Sequence, residues 1–576
     1  MNQKKKKYSF TFMQPRDFIP RIVALFPGPA GRNYSWAAFG KDCLAGVIVG
    51  IVALPLSMAF SISAGGTPAQ GLYTAITAGF CISLLGGSKF QIGGPTGAFV
   101  IIIFGIIQKH GTAGLITATL LAGIILVIMG VSGLGRFIKF IPYPVTTGFT
   151  TGIGVLIFSQ QVKDFFGLQI TASAPAFFEK WREYILFFPT LDPLIAGIGA
   201  GTMALIILVR RFFPRIPGAA VGVTVATVLC HFLALPVETI GTRFGGIPAS
   251  LPMPVAPAMS WSLIRAVLPD AFTIALLAAI ESLLSAVVAD SMTGDRHNAN
   301  MELAAQGIGN ITSALFGGIP ATGAIARTAT NIKSGAVSPV AGIVHALTLV
   351  VFILLLAPAA SAIPLASLSA VLMVVSWDMS NVGRCFRLIR RSPKSDAAVL
   401  ITTFFLTIAF DLTFAVEVGV ILAVFLFLRR MIEVTDIKSE NDDLMTELAF
   451  GNLEKKTKDS IIALSRKDIE IYEITGPFFF GVADMLQHIL RRVARTPRFL
   501  ILRMRDVPVI DSTGIAALES FLMQCRHRKI QLMLCETREP PRKVLEKAGF
   551  IGDMGAEWVL PTLEEALEKA GMPLDR

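Results

Sequence analysis

A polytopic α-helical membrane protein closed by an α/β domain is the fold class the sequence predicts. It rests on a shortage of charge, an alternation of long apolar runs with short basic breaks, and a change of character near residue 433. Of 576 residues, 53% are hydrophobic and only 16% charged, and the mean hydropathy is +0.65. Soluble domains carry roughly 25% charged residues, so lipid is the main solvent this composition fits. Residues 1–40 read as a cytoplasmic N-terminal segment and 41–432 as the membrane domain; 433–465 read as a linker and 466–576 as a cytosolic α/β domain.

A spanning helix needs about 20 apolar residues, fewer where it is short or broken. Candidate spans lie near 43–62, 70–86, 95–107, 113–132, 144–161, 190–209 and 217–235. A second set lies near 269–288, 303–316, 326–333, 338–357, 363–377, 396–411 and 414–429. That makes roughly fourteen in two groups of seven, the third of each group too short to cross alone. Alternating the spans from a cytoplasmic N-terminus places Arg136, Lys139, Arg210, Arg211 and Arg215 inside. The same alternation puts Arg384, Arg387, Arg390, Arg391, Lys394, Arg429 and Arg430 inside, while the longer segments 163–189 and 236–268 fall outside. This is the positive-inside pattern, and it predicts an inner-membrane, multi-pass chain with both termini cytoplasmic.

The net charge of +11 therefore points to a membrane and not to nucleic acid. The cluster Lys4 to Lys7 is not followed directly by an apolar run, so no signal peptide is read there. Six scattered cysteines without a CxxC pair argue against a disulfide framework or a zinc site. No Ser-His-Asp set, P-loop or metal-ligand cluster is evident, and the six histidines are dispersed, so neither an enzyme nor a bound cofactor is expected.

In the C-terminal region, Asp468 to Thr475 alternates as a strand should, and Phe499 to Met504 and Ile530 to Leu534 are short apolar strands. Val482 to Val493 and Pro541 to Ala548 read as helices between and after them, giving an α/β sandwich. Ile510-Asp511-Ser512-Thr513-Gly514 opens a further helix, Ile515 to Gln524. Ser and Thr there serve as helix caps. Phosphorylation of Ser512 is the sharper alternative, because a phosphate suits a helix N-terminus.

Two glycine- and proline-rich segments break the membrane domain at matching places: Gly93-Gly94-Pro95-Thr96-Gly97-Ala98, and Gly317 to Ala324 followed by Ile325-Ala326-Arg327-Thr328. Non-helical backbone at membrane depth survives only where protein or a watery cavity satisfies its polar groups. Each segment leads into a short helix, whose first N–H groups and dipole suit an anion. The plainer reading is close helix packing by small residues, and the matching placement of the two segments favours a site over it. Arg327 would add positive charge there; its alternative is to snorkel to the interface. Glu281 lies mid-way along an otherwise apolar span, with Ser285 on its helix face at i+4. Desolvation works against its charged form, making it a candidate proton carrier or cation ligand. A static ion pair with Arg327 or Lys333 is the alternative.

With these residues the chain resembles the sulfate permease (SulP) family, the bacterial relatives of the animal solute carrier 26 transporters and of prestin. The resemblance covers nearly the whole chain. It is carried by Leu54-Pro55-Leu56-Ser57-Met58-Ala59-Phe60, Pro68-Ala69-Gln70-Gly71-Leu72-Tyr73, Gly94-Pro95-Thr96-Gly97-Ala98, Ala279 to Ser285 with Ala289 to Gly294, and Pro320 to Lys333. The tail resembles a STAS domain, named for sulfate transporters and anti-sigma-factor antagonists. What the resemblance implies is a seven-plus-seven inverted repeat of core and gate domains, a homodimer, and elevator-like movement of the core. It implies an anion bound between Ser57 and Phe60 of span 1, Thr96, Gly97 and Ala98 of span 3, and Ala326, Arg327 and Thr328 of span 10. Glu281 matches an acidic residue linked to proton coupling in some members, and bicarbonate members use an aspartate there in sodium binding; Glu tilts the expectation to protons. Leu56 and Ala326 depart from the glutamine and serine of many animal members. Ser512 falls where anti-sigma antagonists carry their phosphorylatable serine.

The expectation is a secondary carrier of small anions, with sulfate leading and C4-dicarboxylate and bicarbonate behind it. H+ is the expected co-transported ion with Na+ as alternative, and a cytosolic regulator is a candidate partner for the STAS domain. Two competing readings are a membrane-anchored STAS signalling scaffold and a nucleobase carrier of the same membrane fold.

Overall fold

The computed structural model describes residues 19–25, 34–136, 142–170, 176–213, 216–254, 256–257, 259–410, 412–439, 469–479, 485–486, 489 and 497–570. Several sequence expectations lie outside them: the Lys4 to Lys7 cluster, Lys139, Arg215, the linker from 440 to 465, and most of the helix expected over 482–493. The chain divides into two compact units, Met1–Ile421 and Leu422–Arg576, each described here by itself.

Every span read from the apolar runs coincides with helix. In the first half these are α1 (Trp36–Ser63), α2 (Pro68–Leu85), α3 (Val100–Val131) and α4 (Tyr143–Phe166). A short α5 (Phe177–Phe187) precedes α6 (Pro193–Phe212), α7 (Gly218–Phe232) and a short α8 (Ile240–Phe244). The second half comprises α9 (Trp261–Thr293), α10 (Ala299–Leu315), α11 (Ile325–Lys333), α12 (Val340–Ser361) and α13 (Leu365–Ser380). It ends with α14 (Val382–Arg391), α15 (Lys394–Ala409) and α16 (Leu412–Val434). The expected third and fourth spans share α3, broken at Gly111, whose φ of 65° and ψ of −173° are not helical. Among the described residues, seven helices are long and apolar enough to cross a membrane by length and composition. The sequence reading did not foresee α5, α8 and α14, each a short polar or amphipathic stretch.

Five of the long helices start on a side-chain cap. Ser35 accepts from Ala38 N–H before α1, and Thr67 and Gln70 form a capping box at α2. Asp192, Ser260 and Asn298 cap α6, α9 and α10 in the same way. The helices form two bundles. In one, α3 packs on α9 and α10, and α1 and α2 pack on each other and on α12. In the other, α4 packs on α13 and α15, and α6 on α7 and α13. Small residues set the closest approach: a Cβ at Gly123 of α3 would lie 2.7 Å from the Gly307 carbonyl of α10, and one at Gly307 2.6 Å from the Gly123 carbonyl.

Two buried carboxylates tie distant loops to the first bundle. Asp42 of α1 accepts from Val337 N–H (2.7 Å), Ser338 N–H (3.2 Å), Ser338 Oγ (2.5 Å) and the Tyr34 hydroxyl (2.6 Å). Glu302 of α10 accepts from Gly87 N–H (2.9 Å), Ser88 N–H (3.1 Å) and Gln306 Nε2 (3.0 Å). Glu302 thus satisfies the backbone of the turn after α2, as Asp42 does for the turn before α12. Orphaning buried donors costs about 1–3 kcal/mol each. Glu302→Ala is therefore expected to lower the melting temperature of the purified protein clearly, and an unchanged melting curve would remove the carboxylate from this role.

In the second unit a five-stranded sheet runs in the order β3 (Asp436–Ser439), β4 (Ile469–Thr475), β5 (Phe499–Asp506), β6 (Gln531–Cys535), β7 (Val559–Leu560). The β3–β4 pair is antiparallel and the rest are parallel. Alternate residues serve two faces. Leu500, Leu502, Leu532 and Leu534 pack with Leu518 and Phe521 of α17 (Ser512–His527), whereas Ile501, Met533 and Cys535 pack with Ala566 of α20 (Leu563–Lys569). Between these helices lie α18 (Glu539–Lys547) and α19 (Phe550–Met554). Burial pushes the Cys525 thiol of α17 up to about 12, leaving it an inert core side chain. One expectation is corrected: the cap of α17 is Asp511, which accepts from Gly514 N–H at 2.7 Å, and not Ser512 or Thr513. Ser512 is the first helical residue and is exposed. Its hydroxyl lies inside the helix start, where it cannot reach the N–H groups a residue earlier could.

Candidate substrate site at a strand crossing

The two glycine-rich interruptions meet. β1 (Gly93–Gly94) and β2 (Thr322–Gly323) pair antiparallel, with Gly93 opposite Gly323 and Gly94 opposite Thr322. At two of its positions the crossing leaves no room for a side chain. A Cβ at Gly94, where φ is +154°, would sit 2.5 Å from Arg327 Nη1, and one at Gly323 would sit 1.6 Å from Gln91 Nε2.

From the crossing each chain turns directly into a helix. Thr96 leads a single 3-10 turn, Gly97–Phe99, into α3, and Ala324 leads α11. Neither helix start has a side-chain cap, unlike α1, α2, α6, α9 and α10. In α11 the first closed bond is Thr328 N–H to Ala324 C=O at 2.9 Å, so the N–H groups of Ile325, Ala326 and Arg327 precede it. In the first turn of the other half, the N–H groups of Gly97 and Ala98 precede the Phe99-to-Thr96 bond at 3.3 Å. Two positive helix ends with unclaimed donors therefore stand side by side.

The long helix α9 is the platform beneath. Ala278, Glu281, Ser282 and Ser285 share a face by their spacing. Thr322 Oγ1 donates to Ala278 C=O (3.0 Å), Thr96 Oγ1 to Glu281 Oε2 (2.9 Å) and Gln91 Nε2 to Ser282 C=O (3.0 Å). Ser285 Oγ donates to Thr328 Oγ1 at 3.2 Å, and Thr328 Oγ1 also accepts from Ile92 N–H at 3.1 Å. Glu281 is buried, and its partner is the Thr96 hydroxyl; among the described residues no ion pair joins it to Arg327 or Lys333.

Arg327 is 2% exposed, which removes the snorkelling alternative. Its Nη2 donates to Pro95 C=O at 2.8 Å, clamping the other half of the crossing, while Nη1 is buried without a partner. Ser57 is fully buried with an unpartnered Oγ, and Phe60 is buried nearby. A Cβ at Gly97 would lie 2.8 Å from Ile157 of α4, 3.0 Å from Met379 of α13 and 3.3 Å from the Phe60 ring. The 3-10 turn thus faces the second bundle. Ile325 is 42% exposed and Ala326 is exposed, whereas Gly97, Ala98 and Thr328 are buried. The structure brings Phe60, Thr96, Gly97, Ala98, Ala326, Arg327, Thr328, Glu281 and Ser285 around one crossing, with Ser57 one turn before Phe60 on α1, and Ser512 lies in the other unit.

The sequence reading passed over Gln91 and His345. Gln91 locks β1 onto α9. His345 of α12 is wholly buried, with both ring nitrogens unpartnered. It was set aside as one of several dispersed histidines; an imidazole in the middle of an apolar run was itself a signal.

Half-helices that abut at a strand crossing between two helical bundles define a membrane transport protein. The sulfate permease family matches residues 39–403 and the STAS domain residues 460–566. The chain belongs to the sulfate permease family. It is 41% identical over 530 residues to the putative sulfate transporter YvdB of Bacillus subtilis (strain 168), covering 91% of this chain and 97% of that one. It is 29% identical over 540 residues to the bicarbonate transporter BicA of Picosynechococcus sp., covering 92% and 94%. Murine Slc26a9, solved in an inward-facing state, shares the fold with a TM-score of 0.83 at 19% identity, over 99% of this chain and 97% of that one.

Proposed function

We propose that the protein is a secondary transporter of small anions, with sulfate as leading substrate and bicarbonate and C4-dicarboxylates behind it, coupled to protons through Glu281. The observation that carries this reading is the pair of uncapped helix starts meeting beside one buried carboxylate. Five N–H groups before the first closed turns and the clamped Arg327 guanidinium favour negative cargo. The relatives named for sulfate and bicarbonate agree with it in class. In this reading both termini are cytoplasmic, the crossing sits near mid-membrane, and the first bundle carries the anion past the second.

The test is uptake into proteoliposomes holding the full chain, with labelled sulfate competed by bicarbonate, succinate, fumarate, chloride and uracil. It is run at two pH values, with and without sodium. Saturable uptake driven by an inward proton gradient, displaced by oxyanions and indifferent to uracil and sodium, is expected. Displacement by uracil alone, or absence of uptake of every anion, would overturn it.

A further inference from the structure

A cavity of about 290 Å³ lies under α5, between α3, α4 and the end of α15. Its walls are mostly apolar, from Ile101 and Phe104 of α3, Leu156 of α4 and Phe410, and one cation enters it. Lys180 of α5 is only 6% exposed and stands over the Phe104 ring with its Nζ 5.4 Å from the centroid. Burial holds the ammonium below the ordinary lysine value, and the carboxylate of Glu183 on the same helix works the other way. A cation–π contact is a weak attraction. Removing an ion from water costs more than such a contact returns. Among the described residues, the Phe104 ring and the Glu183 charge on the same helix are what offset this burial, and an anion in the cavity would add to them.

The cavity also holds the carboxamide of Gln160, whose Oε1 is buried without a partner. The two ends of a carboxamide are nearly alike in shape, so a half-turn presents its NH2 to an anion instead. Position along the helices ties the cavity to the crossing. Ile101 and Phe104 share a face of α3 at i and i+3, directly after the 3-10 turn that holds Gly97. On α4, Ile157 touches the Gly97 position while Leu156 and Gln160 line the cavity. At 1.5 Å per residue, Phe104 stands about 10 Å beyond Gly97.

We propose that this cavity is a second anion site on the transport path, in which Lys180 and Gln160 hold a small oxyanion at the outer end of the boundary between α3 and α4. It rests on the anion-carrier reading above. Lys180 is not needed to form the crossing, and its effect belongs to access from one side of the membrane.

The test is the concentration dependence of labelled sulfate uptake by the full chain in oriented proteoliposomes, for wild type, Lys180→Gln and Lys180→Arg. Lys180→Gln is expected to raise KM for anion offered on the α5 side about tenfold, the loss of one charge-assisted contact, with kcat within about twofold. KM from the opposite side stays at the wild-type value, and Lys180→Arg restores most of the affinity. An unchanged KM in Lys180→Gln would overturn the site. So would a fall in kcat from both sides that Lys180→Arg fails to rescue, since that marks a packing residue. A wild-type protein that moves neither sulfate, bicarbonate nor succinate removes the carrier reading itself, and the site with it.

Discussion

Glu281→Gln is expected to abolish proton-driven anion uptake while leaving the protein folded and able to bind its anion. The substitution keeps size and hydrogen bonding, since the Gln carbonyl oxygen can accept from Thr96 Oγ1 as the carboxylate does at 2.9 Å. What it removes is the ability to take up and lose a proton. Glu281 reports to the substrate region through Thr96, whose backbone opens the α3 helix start. Protonation changes whether this carboxyl only accepts from Thr96 or can also donate, so charge on α9 and donor geometry at the crossing are linked. Linked sites typically couple by about 1–3 kcal/mol, or 5–150-fold. Uptake driven by a pH gradient should therefore fall by about 100-fold, to the level of passive exchange, with anion affinity within about twofold. Glu281→Asp keeps a titratable group but draws it back by one methylene from Thr96, so it should fall between the two. Gradient-driven uptake that persists undiminished in Glu281→Gln would remove this carboxyl from the coupling.

The two interruptions and the buried Glu281 were legible because their signals are local. Two interruptions rich in glycine and proline can be read without knowing what they touch, and a carboxylate inside a long apolar run announces itself. The same holds for the long helices, whose apolar length is a property of consecutive residues. What the sequence did not convey is pairing across distance. Nothing near Gly87 says that its N–H is met by Glu302, or that Val337 and Ser338 close on Asp42. The role of Arg327 was half legible. Its charge demanded a partner or a cavity, and the partner is the Pro95 carbonyl, set 232 residues away by the strand crossing. Lys180 was invisible for a related reason, because it sits in a short polar helix that only burial by α3 and α4 makes unusual. The capping of α17 failed differently: three adjacent residues could each have capped it, and a shift of one position decided for Asp511.

Arg327→Ala and Arg327→Met are expected to separate function from stability. The guanidinium is buried with one hydrogen bond and an unpartnered Nη1, so the native state bears a desolvation cost that one neutral acceptor does not recover. Met keeps much of the volume and carries no charge. Its introduction orphans the Pro95 carbonyl at about 1–3 kcal/mol and removes a larger unfavourable term. The melting temperature of Arg327→Met should therefore hold or rise, while Arg327→Ala adds a cavity and melts lower than Met. Anion affinity should move the other way in both. The helix ends lose the one full positive charge beside them, and Pro95 loses the clamp that aims the Gly97 and Ala98 N–H groups. Together these should weaken binding by about 100-fold, since contacts to charged groups contribute about 1.5–3 kcal/mol. Arg327→Lys distinguishes charge from clamp, because its single ammonium restores the field but not the fork geometry. Calorimetric titration of sulfate into the purified variants reads the affinity, and thermal unfolding reads the stability. Wild-type affinity in Arg327→Met would mean that the backbone N–H groups hold the anion without help. A sharp loss of stability with affinity intact in the surviving fold would make Arg327 a packing residue and nothing more.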